Sequence, residues 1–351
     1  MSQTTYIESE HLAPLLPTGP GLVGFDLEAD SLYRYSERIC LVQVCYGEEV
    51  ALVDPLADAS LDPIVEWLKD ATIWMHGADY DMALMMKEWN FIPPVLLDTQ
   101  IAAQLLGHER FGYASLVEQY FEVELSKSSQ KADWGKRPLS DTMLKYAIND
   151  VRYLLPLATA VERSLIELGR DGWFVESCAA SRLKVMNRES AEKESWRISG
   201  SGKLTPKQLS ILKALWNWRD KEAAEWNRPS FMVAGNKDLI QWTEDLSLGK
   251  VPRLHPKLRA DRKQRLNNAI DAVLELSEED WPKRPVRERR KKEPTFVARL
   301  NEVMKHRNVI AEGLKIDPSV IASRHVLEQI VGKNVEPSEI LLSWQQGLLN
   351  L

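Results

Sequence analysis

Long apolar runs are missing from this sequence. No stretch approaches the roughly 20 consecutive apolar residues that a helix needs to cross a bilayer, so a membrane-spanning chain is not expected. The opening residues, MSQTTYIESEHLAPLLP, lack a basic segment followed by an apolar one and do not read as a secretory signal. Cysteine is scarce. Cys40, Cys45 and Cys178 stand at no metal-ligand spacing and form no disulfide framework, which fits a reducing cytoplasm. An overall excess of positive charge is missing too. The net charge of −6 argues on its face against a polyanionic partner.

The average conceals an asymmetry. Residues 1–150 carry 24 acidic and 10 basic side chains, a net of −14, and the remainder carries 27 and 35, a net of +8. An acidic part suited to cations and a basic part suited to polyanions are two different tasks. At 351 residues the chain exceeds one ordinary core, and two or three domains are expected.

The first half alternates strand and helix patterns. LVGFDLE at 22–28 reads as a strand, and ICLVQVCYGEEVALVDP as two strands, 39–46 and 50–54, around a short turn. ATIWMHG and LLDTQIAAQLLG each read as a strand running into a helix. Ser115 with Glu118 has the spacing of a capping box. In residues 140–155, Leu144, Ile148, Val151 and Leu155 form one helical stripe, with Ser140 as N-cap and Pro156 either kinking or ending the helix. Beyond residue 170 strand signals nearly vanish. Thr205, Pro206 and Gln208 open a long helix, in which Trp216, Trp218 and Trp226 read as core. VAGNKDL at 233–239 resembles IASRHVL at 321–327, an offset of 88 residues. A basic stretch at 282–299, densest at 283–292, reads as a linker able to attract phosphate.

Two carboxylates one residue apart sit oddly in a strand that is otherwise apolar. Strand alternation puts Asp26 and Glu28 on one face and Leu27 on the other. Helical spacing puts Tyr146 and Asp150 together, and Asp81 falls early in a helix that follows a strand, with Asp79 as the expected N-cap. Strand ends are where α/β sheets build sites. Four carboxylates converging there repel one another unless cations intervene, and an all-oxygen donor set favours Mg²⁺ or Mn²⁺. Two such ions are a known device for attack on a phosphodiester.

Taken in order, FDLE, HGADYDMALM and YAINDVRYLLPL resemble the three exonuclease motifs of ribonuclease D, a DEDD-type 3′–5′ exonuclease of the tyrosine-bearing kind. SKSSQKADWGKRPLS and LLDTQIAAQLLG resemble further landmarks of that family, and residues about 204–280 resemble an HRDC module. The resemblance implies an α/β ribonuclease H-like exonuclease domain, a mixed sheet flanked by helices, over 1–170. It then implies a helical connector over 171–203, an HRDC domain over 204–280, and a basic linker with a second, divergent HRDC-like domain over 281–351. It implies that Asp26, Glu28, Asp81 and Asp150 hold two Mg²⁺ or Mn²⁺ ions, and that Tyr146 aims the attacking water. The expected reaction is stepwise hydrolysis of RNA from its 3′ end to nucleoside 5′-monophosphates, on tRNA precursors and other small structured RNAs, with no obligatory protein partner. Leu27, Gln43, His76, Lys131, Trp134 and Arg137 are candidate RNA contacts; for Gln43, His76 and the last three the competing reading is structural packing. Leu27 replaces a threonine common in bacterial ribonuclease D. A Werner-like DNA exonuclease and a non-catalytic RNA-binding scaffold are the alternatives.

Overall fold

A computed structural model describes residues 4–8, 21–57, 61–188, 195–254, 259–284, 294–332 and 335–351. Most of the basic cluster at 283–292 lies outside the described residues. The chain divides into two compact units: Met1–Ala29 with Ile39–Asn187 and Arg290–Leu351, and Asp30–Arg38 with Arg188–Arg289.

The first unit is built on a six-stranded mixed sheet. Its strands are β1 (Thr4–Glu8), β2 (Leu22–Ala29), β3 (Ile39–Tyr46), β4 (Glu49–Asp54), β5 (Thr72–Met75) and β6 (Val95–Asp98), in the order β1-β4-β3-β2-β5-β6. β1 was not legible as a strand in the sequence; it adds to the edge parallel to β4. β2, β3 and β4 form an antiparallel meander, whereas β5 pairs parallel to β2 and β6 parallel to β5. Those parallel pairs follow from the crossover helices α1 (Asp62–Leu68) and α2 (Asp79–Trp89).

Alternation in β2 separates the two faces of the sheet. Val23, Phe25 and Leu27 enter a core with Ile64, Leu68, Met82 and Met85 from α1 and α2. Each such side chain, fully buried, contributes about 1.5–3 kcal/mol. On the other face lie Gly24, Asp26 and Glu28. There, α5 (Asp141–Arg152) packs on β2, β3 and β4. Gly24 makes this packing possible, because a Cβ there would collide with Cys45 Sγ, which donates to Val151 O at 3.0 Å.

The helix expected over 140–155 is two. α5 ends at Tyr153, and α6 (Leu154–Glu167) starts at once, with Pro156 in its first turn, where no intrahelical N–H is needed. Ser140 caps α5, accepting from Met143 N. α4 (Tyr113–Phe121) begins two residues before Ser115, on Gly112, so Ser115 is not its cap. α2 likewise begins on Ala78, and Asp79 is its first helical residue rather than its N-cap.

Residues 171–203 were expected as a helical connector. Asp171–Met186 forms α7, packed on α2, α3 (Thr99–Leu106) and β6 within the sheet unit. The C-terminal helices α12 (Pro294–Leu314), α13 (Pro318–Ile321), α14 (Arg324–Val331), α15 (Pro337–Ile340) and α16 (Ser343–Leu349) also belong to this unit. Leu300, Ala311, Ile321 and Leu327 share one core with Trp74, Ala102, Leu157 and Phe174. Trp344 stacks on Trp173 at 4.9 Å, and Arg170 donates to Leu105 O and Leu314 O. Gly107, at φ +84°, ends α3 where a Cβ would strike Lys315 O.

The second unit is helical, with α8 (Pro206–Trp226), α9 (Ser230–Val233), α10 (Asn236–Ser247) and α11 (Ala260–Leu274) around Leu209, Leu212, Leu215, Trp218, Leu239 and Leu266. Thr205 and Gln208 make the capping box expected of them. Trp218 is in the core and Trp216 packs against it, but Trp226 is 44% exposed and carries Arg262 over its ring. The 88-residue offset has a local geometry. Buried Arg219 donates to Ala234 O at 3.2 Å, and buried Arg307 to Ala322 O at 2.6 Å. Ala234 and Ala322 are both extended, each between a four-residue helix and a longer one.

Candidate active site

The parallel pairing of β2 and β5 sets the carboxyl ends of these strands side by side. Asp26 and Glu28 lie toward the end of β2, and Asp81 lies in the first turn of α2, just past β5. α5, crossing the same face, carries Tyr146 and Asp150 one turn apart. Carboxylate oxygens of Asp26, Glu28 and Asp150 fall within 4.8 Å of one another. Asp81 is outside that trio, yet its charge acts on both Asp26 and Glu28. Tyr146 hydrogen-bonds the Asp150 side chain.

Crowding shows in the acidities. Burial, then the charges of Asp81, Asp150 and Glu28, raises the Asp26 carboxyl far above its usual range. Burial and then Asp150 and Asp81 push Glu28 up to about 9. Burial raises Asp81 to about 7, with Asp98 adding to it, and raises Asp150 to about 7 against the hydrogen bond from Tyr146. Such a cluster holds protons at neutral pH or takes up a cation. All-carboxylate donors at this spacing suit a hard divalent ion. The Tyr146 phenol is pushed upward by burial first and then by the charges of Asp150, Glu28 and Asp26. It therefore remains a hydrogen-bond donor at neutral pH.

Two groups that sequence reasoning did not assign hold the site in shape. Asp98, the last residue of β6, accepts from Gly77 N, Ala78 N and Gln100 N at 2.8–2.9 Å. It thereby caps α3 and ties down the turn that launches α2 and Asp81. Gly77 in that turn has φ +69°, a conformation that suits glycine. The signal for Asp98 was present as an acid directly before a helix. Tyr113 donates to Asn149 O at 3.2 Å, packs on His76, and is raised by burial and then by Asp150. No motif pointed to it.

The candidate RNA contacts divide. Leu27 is 6% exposed in the core on the far face, which removes its side chain as a contact. Trp134 is 1% exposed and packs at 6.0 Å from the Tyr146 ring, so it too is interior. Arg137 is consumed: its five N–H groups reach both oxygens of buried Asp54 and the carbonyls of Cys40, Trp134 and Lys136, at 2.5–2.7 Å. Arg137 clamps β3, β4 and the 129–139 loop together. His76 is half-buried. Thr99 Oγ1 donates to Met75 O, so it accepts from His76 Nδ1, and the imidazole pKa is lowered by burial. Lys131 is exposed. Gln43 is 0% exposed, directly across from Asp26.

Comparison with known proteins agrees with this geometry. A family model described as 3′–5′ exonuclease matches residues 3–166. The chain is 29% identical over 345 residues to the ribonuclease D of Haemophilus influenzae, spanning 93% of this chain and 85% of that one. It is 30% identical over 340 residues to the ribonuclease D of Xanthomonas oryzae pv. oryzae, spanning 94% and 91%. The crystal structure of Escherichia coli RNase D, an exoribonuclease involved in structured RNA processing, has the same fold. It matches at a TM-score of 0.75, covering 100% of this chain and 99% of that one at 24% identity. Among the described residues no helix is long and apolar enough to cross a membrane.

Proposed function

The chain belongs to the ribonuclease D family, and from that premise we propose that it is a 3′–5′ exoribonuclease releasing nucleoside 5′-monophosphates one at a time from the 3′ end of RNA. Its substrates are tRNA precursors and other small structured RNAs. The observation that carries this reading is the cluster of Asp26 and Glu28 from β2 with Asp150 from α5, within 4.8 Å of one another, on which the charge of Asp81 from α2 also acts.

Asp26, Glu28, Asp81 and Asp150 would hold two Mg²⁺ or Mn²⁺ ions; burial, joined at Asp26 and Glu28 by the charges of their neighbours, raises the pKa of all four carboxyls and supports that donor set. Bound there, the ions supply charge neutralisation of the phosphate and a more acidic water. The protein's own part is orientation. Tyr146, its proton held toward Asp150, offers its oxygen to a water hydrogen and aims that water at the terminal phosphodiester. A phenol with its pKa pushed up is a poor base, so Tyr146 positions rather than deprotonates. Residues 204–280, within the helical second unit, serve as an HRDC-type RNA-binding module, and α12–α16 are its divergent repeat, a reading supported by the matched Arg219–Ala234 and Arg307–Ala322 bonds. The three cysteines, all buried and none in a disulfide among the described residues, fit work in the cytoplasm.

The test is purified protein with Mg²⁺ or Mn²⁺ on 3′-extended tRNA, single-stranded RNA and DNA, beside Asp26→Asn. Shortening of the RNAs from the 3′ end by wild type alone is expected. Equal degradation by the variant removes Asp26 from the site, and faster attack on DNA than on any RNA overturns the substrate class.

A further inference from the structure

Gln43 is a polar residue in a place made for an apolar one. It lies in the middle of β3, 0% exposed, between Leu41 and Cys45 on the same face. Cys45, Leu41, Trp134 and Ala147 make an apolar cluster on that face under α5. Neither Nε2 nor Oε1 of Gln43 has a hydrogen-bond partner among the described residues. An amide left this way costs about 1–3 kcal/mol. A leucine or methionine would fit the cluster without that penalty.

The register supplies a reason for the amide. Gln43 and Asp26 are directly opposed across the antiparallel β2–β3 pair, so their side chains rise from one face about 5 Å apart at Cβ. Glu28, two residues along β2, shares that face. Gln43 is too deeply buried to touch RNA itself. Carboxylates that ligate metals are in turn held by hydrogen-bond donors, and loss of such a donor typically weakens metal binding or activity about 10–100-fold.

We propose that Gln43 is a positioning residue: its unsatisfied side-chain amide, opposite Asp26 across the strand pair, turns to donate to that carboxylate when a divalent ion is gripped and fixes it in the binding orientation. The amide carries no charge, so it directs Asp26 without adding a counter-ion that would compete with the metal. This inference rests on the exonuclease reading only for its consequence in catalysis; the consequence for metal binding stands by itself.

Gln43→Met and Gln43→Leu test it, because both keep bulk and remove the amide. Three quantities are measured: the melting temperature in EDTA, Mn²⁺ affinity by titration calorimetry, and kcat and KM on a 3′-extended RNA. The expected result is an EDTA melting temperature equal to or above wild type, Mn²⁺ affinity lower by about 10-fold or more, and kcat lower with KM within about twofold. Mn²⁺ affinity within about twofold of wild type in a folded variant overturns the inference, and so does a loss of affinity that only accompanies a fall in melting temperature in both variants. Wild type that binds Mn²⁺ but shortens no RNA would sink the exonuclease reading instead, with the calorimetry still deciding on Gln43.

Discussion

Arg137 illustrates how a side chain can match a nucleic-acid contact in sequence and be something else in space. All five of its donors end on protein oxygens, including both oxygens of Asp54. Removing Arg137 leaves the buried Asp54 carboxylate without this partner, a loss of about 1–3 kcal/mol. Arg137→Ala is therefore expected to lower the melting temperature markedly, while RNA affinity of the folded protein changes little. Retained stability with a large loss in an RNA filter-binding assay would restore Arg137 to the interface. Tyr146 gives the opposite case. Tyr146→Phe keeps the ring against Trp134 and removes only the hydroxyl, so kcat is expected to fall by about 10²-fold with stability nearly unchanged. Because the phenol orients rather than ionises, the pH–rate profile keeps its shape in the variant. A rate that climbs with pH through an alkaline pKa in wild type, and loses that climb in Tyr146→Phe, would make it a base after all. The pairings of Asp26 with Glu28 and of Tyr146 with Asp150 were legible in sequence because strand and helix periodicity fixes which side chains share a face; bringing the pairs together rested on the family resemblance. Gln43 and Trp134 were legible as residues of interest, with RNA contact and interior packing left as rival readings. Their depth depends on α5 and the 129–139 loop closing over the sheet, which no local pattern encodes.

At the scale of elements, the site depends on turns more than on the strands themselves. Asp98 ends β6, caps α3, and receives the two backbone N–H groups of the Gly77–Ala78 turn. Asp98→Ala removes one cap and leaves two interior donors unmet, a loss of about 3 kcal/mol. It also frees the turn that delivers Asp81. Activity is expected to fall more steeply than the folded fraction, read by nuclease assay beside circular dichroism at one temperature; equal losses in the two would reduce Asp98 to a cap. Sequence patterning found most of these elements and misplaced their ends. Ser115 and Asp79 had the residue type of an N-cap, but Gly112 and Ala78, set by the incoming loops, begin the helices. The split at Tyr153 between α5 and α6 was signalled by Pro156, whose position in a first turn satisfies both the proline and the helix. The 88-residue offset was faint in side chains, because what recurs is a backbone form, an extended alanine whose carbonyl an arginine holds.

At the scale of the molecule, the boundaries that sequence suggested follow chain order, whereas packing does not. Asp30–Arg38 leaves the sheet unit and joins the helical one, where Tyr35 donates to Asp220 and Arg228 to Tyr33 O. Residues 294–351 return to the sheet unit and share its core, a long-range closure invisible to periodicity. Their removal would strip Trp344 from Trp173 and Leu314 O from Arg170, so the shortened chain should melt well below the full one. An unchanged melting temperature would mark them as a separate domain. The carboxylate cluster imposes its own global signature. Carboxyls near 4 in the unfolded chain stand at about 7 for Asp81 and Asp150 and about 9 for Glu28 in the folded one. Between those values the folded state binds more protons than the unfolded, so the slope of stability against pH is negative there. Without metal, the stabilisation is complete below about pH 4 and is lost as pH rises through 7 to 9. A divalent ion replaces those protons and reverses the trend, since its ligands must be deprotonated. In EDTA the melting temperature should therefore be higher at about pH 5.5 than at about pH 8.5, and Mn²⁺ should raise it most at the alkaline end. Asp150→Asn should flatten the EDTA slope and shrink the Mn²⁺ effect together. An EDTA melting temperature that climbs with pH, with the same slope in Asp150→Asn, would mean that the carboxylates are already relieved of one another without any ion.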